Sequence, residues 1–164
     1  MNKIFYIILT SIAISQISDN TYIGAEATAL SGTMVSQQNG SESIFYNPAG
    51  ISNLESMQFS MGGGNLYGFH WLPAYYINGV LPISGMGNIG FAIQNFETKT
   101  KSGKQSLSSE QTVSIAQGIN LQKDKNSHLA IGYSANFIQW DLGKSSGISG
   151  NGSDGIELGN IKSL

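Results

Sequence analysis

Cysteine and arginine are both missing from this chain of 164 residues, and proline occurs only three times. The absence of cysteine excludes disulfide bridges, thiolate metal sites and catalysis by a thiol, although it does not fix the cellular compartment. Charged residues make up only 11%, lysine supplies all eight positive charges, and the net charge is −2. Nucleic-acid-binding proteins need a basic surface, so we expect no nucleic-acid partner.

Residues that carry enzyme chemistry are also scarce. The two histidines, His70 and His128, have no second histidine or carboxylate at metal-ligand spacing, and the acidic residues are spread singly. The segment GMGNIG at 85–90 matches the glycine pattern of dinucleotide-binding loops. The residues after it alternate with the period of a strand, which favours a hairpin turn instead. We therefore expect no enzyme activity, no metal and no cofactor.

The N-terminus has the pattern of an export signal. A short positive start is followed by the apolar run 4–14, which is too short to cross a bilayer as a helix and has the length of a signal-peptide core. Ala13 and Ser15 form a small-x-small site, which predicts cleavage after Ser15, with Ser18 as the alternative. A short anchor or a buried helix is the other interpretation of this run. The prediction is a signal peptide over 1–15 and an exported mature protein.

From about residue 56 onward, apolar residues recur at every second position, which is the period of β-strands. The segments with this alternation, about six in number, are 57–64, 71–83, 87–97, 111–121, 128–140 and the one that begins near Ser153. The second is imperfect, because Pro73 cannot donate to a strand ladder. The pattern predicts an antiparallel sheet.

The two faces of these predicted strands differ in composition. One face carries large apolar side chains, and the other carries Gly, Ala, Ser, Thr and Asn with almost no charge. Charged residues collect in the connections at 97–104, 122–128 and 141–147. This distribution is typical of a transmembrane β-barrel, with apolar side chains toward lipid and small polar ones toward the lumen. The side chains predicted to face lipid are Ile89, Phe91, Ile93, Val113, Ile115, Leu129, Ile131, Tyr133 and Phe137.

Strand length supports the same interpretation, because a tilted strand spans the hydrocarbon layer with roughly 9–11 residues. The aromatic residues expected to furnish part of a girdle are Trp71, Tyr75, Tyr76, Phe96, Phe137 and Trp140. The alternative is a soluble β-sandwich whose polar face carries few charged residues. We expect an all-β fold, namely an antiparallel transmembrane β-barrel of which about six strands are present, with outer-membrane lipid as its partner.

Ahead of the strands, the segment 25–33 is rich in small residues and predicts the start of a short helix. It is followed by IFYNPAGISNLES at 44–56. Proline lacks an amide donor and disfavours helix at the preceding residue, so Asn47-Pro48 marks a stop or a sharp corner. The Asn47 amide can satisfy backbone groups that the corner leaves open. An ordinary solvent-exposed turn before the first strand is the alternative.

The segment 24–56 has a glycine- and alanine-rich start, a polar stretch and an aromatic–Asn-Pro-Ala-Gly element. In this order of features it resembles the FadL-like outer-membrane family, and more closely its PorV/PorQ-type relatives. Later segments look like successive barrel strands of that family, so the resemblance covers about residues 22–160.

The resemblance implies a barrel of about fourteen strands, within the range known for such proteins. It also implies that the N-terminal segment, 16–55, folds inward as a plug and that barrel strands occupy 56–164. On that basis Asn47, Pro48, Ala49 and Gly50 form the plug turn inside the lumen. Irregular backbone is tolerated at membrane depth when it is buried in protein.

The resemblance further implies a place in the bacterial outer membrane and a role in protein export, because PorV-like relatives are shuttle or anchoring components of the type IX secretion system. Uptake of hydrophobic small molecules through a plugged barrel is the alternative, and a structural or adhesive surface protein without transport is a third. Expected partners are secretion-system proteins or hydrophobic ligands. The strands present are too few for the implied barrel, and the chain stops in what looks like an unfinished strand at Leu164. We therefore expect a sequence that is incomplete at its C-terminus.

Overall fold

The structure is a computed structural model that describes residues 24–31, 33–36, 40–103, 105–124, 127–143 and 159–163. The predicted signal peptide, 1–15, and both candidate cleavage sites lie outside the described residues. Within them, no helix is long and apolar enough to cross a membrane.

One antiparallel sheet dominates the described part of the chain, which confirms the all-β prediction. Its strands pair in sequence order, so the sheet is an up-and-down meander. Five strands are long and the sixth is short: β1 is Gln58–Asn65, β2 Pro73–Ile83, β3 Gly87–Lys99, β4 Ser106–Lys123, β5 His128–Asp141 and β6 Asn160–Ser163. β1 and β6 form the two edges and do not pair with each other, so the sheet is open. Closure into a barrel therefore stays a proposal.

The alternation in the sequence locates these strands closely. Each of the first five predicted segments overlaps one strand, and the largest difference among these five is in β4, which begins at Ser106 rather than at 111. The sixth strand is described from Asn160. Pro73 is the first residue of β2, a position where proline is tolerated. The register shifts between Thr98 and Lys99 and again between Asn120 and Gln122, as at β-bulges.

Short helices precede β1 and follow it. They are α1, Ala25–Ala29; α2, Ser43–Tyr46; and two 3₁₀ helices, Pro48–Asn53 and Leu66–Gly68. The predicted corner at Asn47-Pro48 is thus a junction between two helical turns. Asn47 is extended, with φ −152° and ψ 96°, as the residue before proline prefers. Pro48 opens the first 3₁₀ helix, where its missing amide has no helical partner to lose.

The connections between strands alternate in length, which gives the sheet two different ends. At one end, the β2–β3 and β4–β5 turns leave only residues 84–86 and 124–127 between strands. At the other end, the connections 66–72, 100–105 and 142–159 are longer. We call these the short-turn end and the long-loop end. The chain enters β1 at the short-turn end.

The glycine-rich segment 85–90 forms the β2–β3 turn and the start of β3, as predicted. The Met86 amide donates to the Ile83 carbonyl oxygen at 3.2 Å, and Gly85 and Gly87 have φ values of 82° and 84°. Such left-handed backbone favours glycine. Because a strand and not a helix follows, the segment offers no helix N-terminus to a dinucleotide phosphate.

The sheet is covered on one face. Residues 40–54, which contain α2 and the first 3₁₀ helix, lie across β3, β4 and β5 and are called the N-terminal cover. The buried core consists of Ile44, Ile51, Leu54, Val80, Ala92 and Ala116, with Phe45 packed against it. Half of these core side chains come from the cover, so the cover and the sheet form one packed unit.

Candidate functional site

The face of the sheet under the cover, here called the inner face, is built from small and polar residues. Along β4, Thr112, Ser114 and Ala116 are buried, whereas the intervening Val113 and Ile115 are 38% and 54% exposed. The neighbouring strands contribute further buried residues to the inner face: Asn78, Val80, Asn88, Gly90, Ala92 and Gln94. A soluble sheet usually buries its larger apolar residues, and this sheet buries the smaller ones.

Glycines on the inner face let the cover approach the sheet backbone. At Gly118 an added Cβ would lie 2.7 Å from the Pro48 carbonyl oxygen. At Gly132 it would overlap the backbone of Ala49. Real Cβ atoms do not come this close, so the packing of the 3₁₀ helix on β4 and β5 requires glycine at both positions.

Two asparagines of the sheet hold the cover by its backbone. Asn88 Nδ2 donates to the carbonyl oxygens of Ile51 and Leu54, both at 2.7 Å. Asn120 Nδ2 donates to the Ser52 carbonyl oxygen at 2.8 Å, and Ser52 Oγ donates back to Asn120 Oδ1 at 2.9 Å. Each such bond contributes about 1 kcal/mol net, and removing one partner leaves a buried group unpaired at a cost of about 1–3 kcal/mol.

The sequence pattern assigns Asn88 and Asn120 to the small polar face but gives no reason to single them out. Their one sequence signal is position, because each lies near a strand end beside a short turn. Their partners in the cover are 34 or more residues away in the chain, and only the folded structure brings them together.

The Asn47-Pro48-Ala49-Gly50 element lies inside the cover, against β4 and β5. Asn47 Oδ1 accepts from the Ala49 amide at 3.1 Å, and its Nδ2 donates to the Val35 carbonyl oxygen at 2.9 Å. The side-chain amide thus satisfies backbone groups at the corner, as predicted. Gly50 is buried, and the other three residues are half-buried. None of the four residues is fully exposed, and their assignment as a plug turn stays a proposal.

A further polar contact joins the cover to β2. The Tyr76 hydroxyl donates to Glu42 Oε1 at 2.9 Å, and the Phe45 ring meets the Tyr76 ring edge-on with centroids 6.0 Å apart. Glu42 Oε2 is shielded from solvent and has no hydrogen-bond partner among the described residues. The sequence pattern does not predict this contact, since Glu42 precedes the strands in a polar stretch.

A cavity of about 800 Å³ lies beside this contact, between α1 and β1–β3 toward the long-loop end. On its sheet side it is lined by the inner-face residues Gly62, Gly64, Ala74, Tyr76 and Phe96, and α1 contributes Ala25, Thr28 and Ala29. The cover packs nearer the short-turn end, so the inner face is sealed at one end and recessed toward the other.

The opposite, outer face carries large apolar side chains that nothing in the described chain covers. Ile89 is half-buried. The other residues predicted to face lipid are 38–59% exposed: Phe91, Ile93, Val113, Ile115, Leu129, Ile131, Tyr133 and Phe137. The register of β3, β4 and β5 places all of them on this one face. The outer face is therefore a continuous apolar surface across the three central strands.

Gln117 is the one polar side chain within the outer row of β4 between Val113 and Leu121. Its Nε2 donates to the Met86 carbonyl oxygen at 2.6 Å, and its Oε1 accepts from the Tyr133 hydroxyl. A polar group with partners is far cheaper to hold in apolar surroundings than a free one. Because both ends of its amide are hydrogen-bonded, Gln117 can lie in the apolar outer face without an unpaired polar group.

The predicted aromatic girdle is wrong in part. Tyr75 and Phe137 lie on the outer face, but Tyr76, Phe96 and Trp140 share the inner face with Gln94, Thr112 and Glu110. The reason is the period of the strand, since neighbours such as Tyr75 and Tyr76 point to opposite faces. Trp71 lies just before β2, on the long-loop side of the sheet.

Within the described ranges, no group of three or more His, Asp or Glu side chains that could hold a metal ion comes together. His70 Nε2 bonds to the Lys101 carbonyl oxygen at 2.7 Å, and His128 Nε2 lies 2.7 Å from Asn120 Oδ1. Both imidazoles thus make local hydrogen bonds at opposite ends of the sheet.

Comparison of the chain with known protein families, with curated protein sequences and with solved structures finds no match. The candidate site is therefore defined by its geometry, as a small polar inner face held under the cover and an uncovered apolar outer face.

Proposed function

We propose that the protein is an outer-membrane β-barrel protein whose described sheet is part of the barrel wall. In this proposal the N-terminal cover is the plug in the lumen. The observation that carries it is the inversion of the two sheet faces: most buried residues of the sheet are small or polar, and most large apolar residues of the outer face are exposed. A soluble sandwich would bury the large apolar residues against a second sheet, and the described residues form a single sheet.

The apolar band on the outer face has a height that suits a bilayer. On β4 it runs from Val113 to Leu121, roughly 27 Å along the strand at about 3.4 Å per residue. A tilt of about 40° reduces this to roughly 21 Å along the membrane normal, close to the band of about 25 Å in such barrels. Beyond this band, the next row across the sheet is Tyr75, Asn95, Gln111 and Gln139. The change to polar residues supports a membrane boundary at that row.

The open edges of the sheet lead to a second part of the proposal. β1 has no partner on one side, and β6 pairs only with the last residues of β5, Ile138–Asp141. Backbone groups cannot stay unpaired in hydrocarbon. We therefore propose that further strands close the wall between the β5–β6 edge and β1, which the resemblance to a larger barrel supports.

The connection lengths give the proposed wall a direction. Barrels of this class have short turns on the periplasmic side and longer loops outside. The turns at 84–86 and 124–127 would then face the periplasm. Asn88 and Asn120 hold the cover near that end. The plug would therefore seal the lumen from the periplasmic side and leave the cavity toward the exterior.

Membrane insertion has a direct test. The full-length protein, extracted in mild detergent, should migrate differently on a gel before and after boiling, because a closed barrel stays folded until heated. A single migration position under both conditions, with the protein recovered in the soluble periplasmic fraction, contradicts the proposal.

For the cellular role, we propose a component of protein secretion at the outer membrane, of the type IX kind. The support is the resemblance of 24–56 to PorV/PorQ-type proteins. Deletion of the gene should remove cargo proteins from the medium and leave growth on long-chain fatty acids unchanged. Normal secretion by the deletion strain overturns this role.

Uptake of hydrophobic small molecules is the second candidate, and the cavity beside Tyr76 and Phe96 favours it. Its volume of about 800 Å³ lies within the range of small-molecule pockets. This role predicts the opposite result for the same strain, with normal secretion and slow growth on long-chain fatty acids. If neither property changes, the protein serves a structural role without transport.

A further inference from the structure

The β1–β2 and β3–β4 loops meet at the long-loop end and form a cluster, here called the aromatic platform, of Phe69, His70, Trp71 and Lys101, of which all but the half-buried Trp71 are exposed. Phe69 stacks on Trp71 with centroids 4.6 Å apart and planes at 18°. The His70 ring lies edge-on to Trp71 at 4.8 Å, and Lys101 Nζ lies 6.0 Å from the Trp71 ring centroid. Phe69 is 44% exposed. Two loops thus present stacked rings and an ammonium group together.

Hydrogen bonds join the two loops into one unit. The Lys99 amide donates to the Trp71 carbonyl oxygen at 2.8 Å, which continues the β2–β3 ladder beyond the end of β2. His70 Nε2 donates to the Lys101 carbonyl oxygen at 2.7 Å. The Leu66 amide donates to the Leu72 carbonyl oxygen at 2.8 Å and closes the β1–β2 loop. These hydrogen bonds fix the two loops relative to each other and hold the platform residues together.

Among the described residues, Lys101 is the cation of the platform that is available to an outside group. Lys99 is paired with Glu97 at 3.2 Å, and Lys123 at the opposite end is paired with Glu55 at 3.4 Å. Lys101 is exposed and takes part in neither ion pair. An ammonium group beside exposed aromatic rings suits an anion that is attached to an apolar body.

The strand ladder sets the height of the platform above the apolar band. Trp71 pairs with Lys99, four residues beyond the boundary pair Tyr75 and Asn95. That separation is about 14 Å along the strand, or roughly 10 Å along the membrane normal at a tilt of about 40°. The polar region adds about 5–7 Å on each side of the hydrocarbon layer. A lysine side chain at this height reaches the lipid headgroups.

We propose that the aromatic platform binds the phosphorylated headgroup of an anionic lipid in the leaflet at the long-loop end. Lys101 contacts the phosphate, and the Phe69–Trp71 stack lies beside the headgroup. Tryptophan and tyrosine favour this zone of a membrane, and lysine is attracted to anionic lipid there. The inference rests on the proposed membrane-spanning barrel and adds to it a specific lipid class and a specific lysine.

Tryptophan emission tests this proposal, because Trp71 and Trp140 are the two tryptophans of this sequence. The full-length protein with Trp140→Phe, and with phenylalanine at any tryptophan outside this sequence, is placed in phosphatidylcholine vesicles that contain a small, equal fraction of brominated lipid. The brominated lipid is either phosphatidylglycerol or phosphatidylcholine, with bromine high on the acyl chain. We expect brominated phosphatidylglycerol to quench Trp71 about fivefold more strongly, the ratio that one lysine supports near an anionic surface.

Two lysine variants complete the test in the same Trp140→Phe background. Lys101→Gln should bring the quenching ratio close to one, and the matched control Lys123→Gln at the short-turn end should leave it unchanged. Equal quenching by the two lipids, or an unchanged ratio in Lys101→Gln, overturns the proposal. Loss of the preference in excess inorganic phosphate also overturns it, because the site then takes free phosphate rather than lipid.

The same vesicles separate this proposal from the barrel on which it rests. If the protein shows heat-modifiable migration but no lipid preference, the barrel proposal is kept and lipid binding by the platform is rejected. Protein that never inserts contradicts both.

Discussion

Asn88 lies beneath the N-terminal cover and donates both N–H groups of its side-chain amide, to the carbonyl oxygens of Ile51 and Leu54, each at 2.7 Å. These carbonyls lie at the end of the 3₁₀ helix, where the Ile51 carbonyl oxygen also accepts from the Leu54 amide at 3.2 Å and the Leu54 carbonyl lies past the last helical turn. One side chain of the sheet therefore anchors the point at which the cover passes into β1.

Asn88→Ala should loosen the cover, because the Leu54 carbonyl oxygen loses its side-chain donor and the Ile51 carbonyl oxygen keeps only the Leu54 amide. We expect a loss of about 1–3 kcal/mol, so that the open state of the cover becomes roughly tenfold more populated. Limited proteolysis of the full-length protein within residues 40–57 measures this change. Asn65→Ala is the matched control, because Asn65 is exposed at the far end of β1 and its loss should change stability by less than about 0.5 kcal/mol. Equal cleavage rates in the two variants would contradict the anchoring role.

Gly132→Ala should push the cover away from β5, since the new Cβ meets the backbone of Ala49. Overpacking of this kind costs about 1–3 kcal/mol, which thermal or urea unfolding of the full-length protein can measure. Gly64→Ala is the control with the same chemical change, because no atom lies within 4 Å of its added Cβ. A Gly132 variant as stable as the Gly64 variant would show that the cover does not pack on β5.

Replacement of Asn47 and Pro48 together by alanine should open the proposed plug. The change removes the cap that Asn47 provides to Ala49 and Val35, and a lost cap of this kind costs about 1 kcal/mol. The expected result is faster swelling of vesicles that contain the full-length protein when small sugars are supplied outside. Asn95→Ala, on the polar boundary row of the outer face, should not change the swelling rate. Unchanged permeability in the double variant would rule out the plug assignment.

Ile115→Lys tests the lipid contact of the outer face. At the middle of a bilayer, lysine on the lipid-facing side of a barrel costs about 2–4 kcal/mol, falling to about 0–1 kcal/mol near the interface. Gln111→Lys, on the boundary row of the same strand, should therefore be much better tolerated. Urea unfolding from vesicles measures both. If the two lysines have the same small effect, below about 0.5 kcal/mol, the outer face meets water rather than lipid.

The strands and their faces were predictable because alternation is a local property. Val113 and Ile115 differ from Thr112 and Ser114 in the printed sequence, and β4 places the two sets on opposite sides. The same rule, applied strictly, also separates Tyr75 from Tyr76. The girdle prediction failed there because it grouped aromatic residues by nearness to strand ends. It did not consider that successive residues of a strand point to opposite faces.

The corner at Asn47 was predictable in its chemistry but not in its surroundings. Proline restricts the preceding residue whatever the fold, and a short amide side chain regularly bonds the nearby backbone. The helical turns on both sides, and the contact of Pro48 and Ala49 with Gly118 and Gly132, depend on strands that begin more than 50 residues later. No local pattern carries that information.

By itself, the sequence determined that this protein is a series of antiparallel strands with one large apolar face and one small polar face, because side-chain alternation and turn chemistry act over a few residues. Only the tertiary structure decided which face is covered, since that depends on where the N-terminal segment packs. It alone also joined Asn88 to Ile51 and Leu54 and brought Trp71 to Lys101, because these contacts link residues that are 30 or more positions apart.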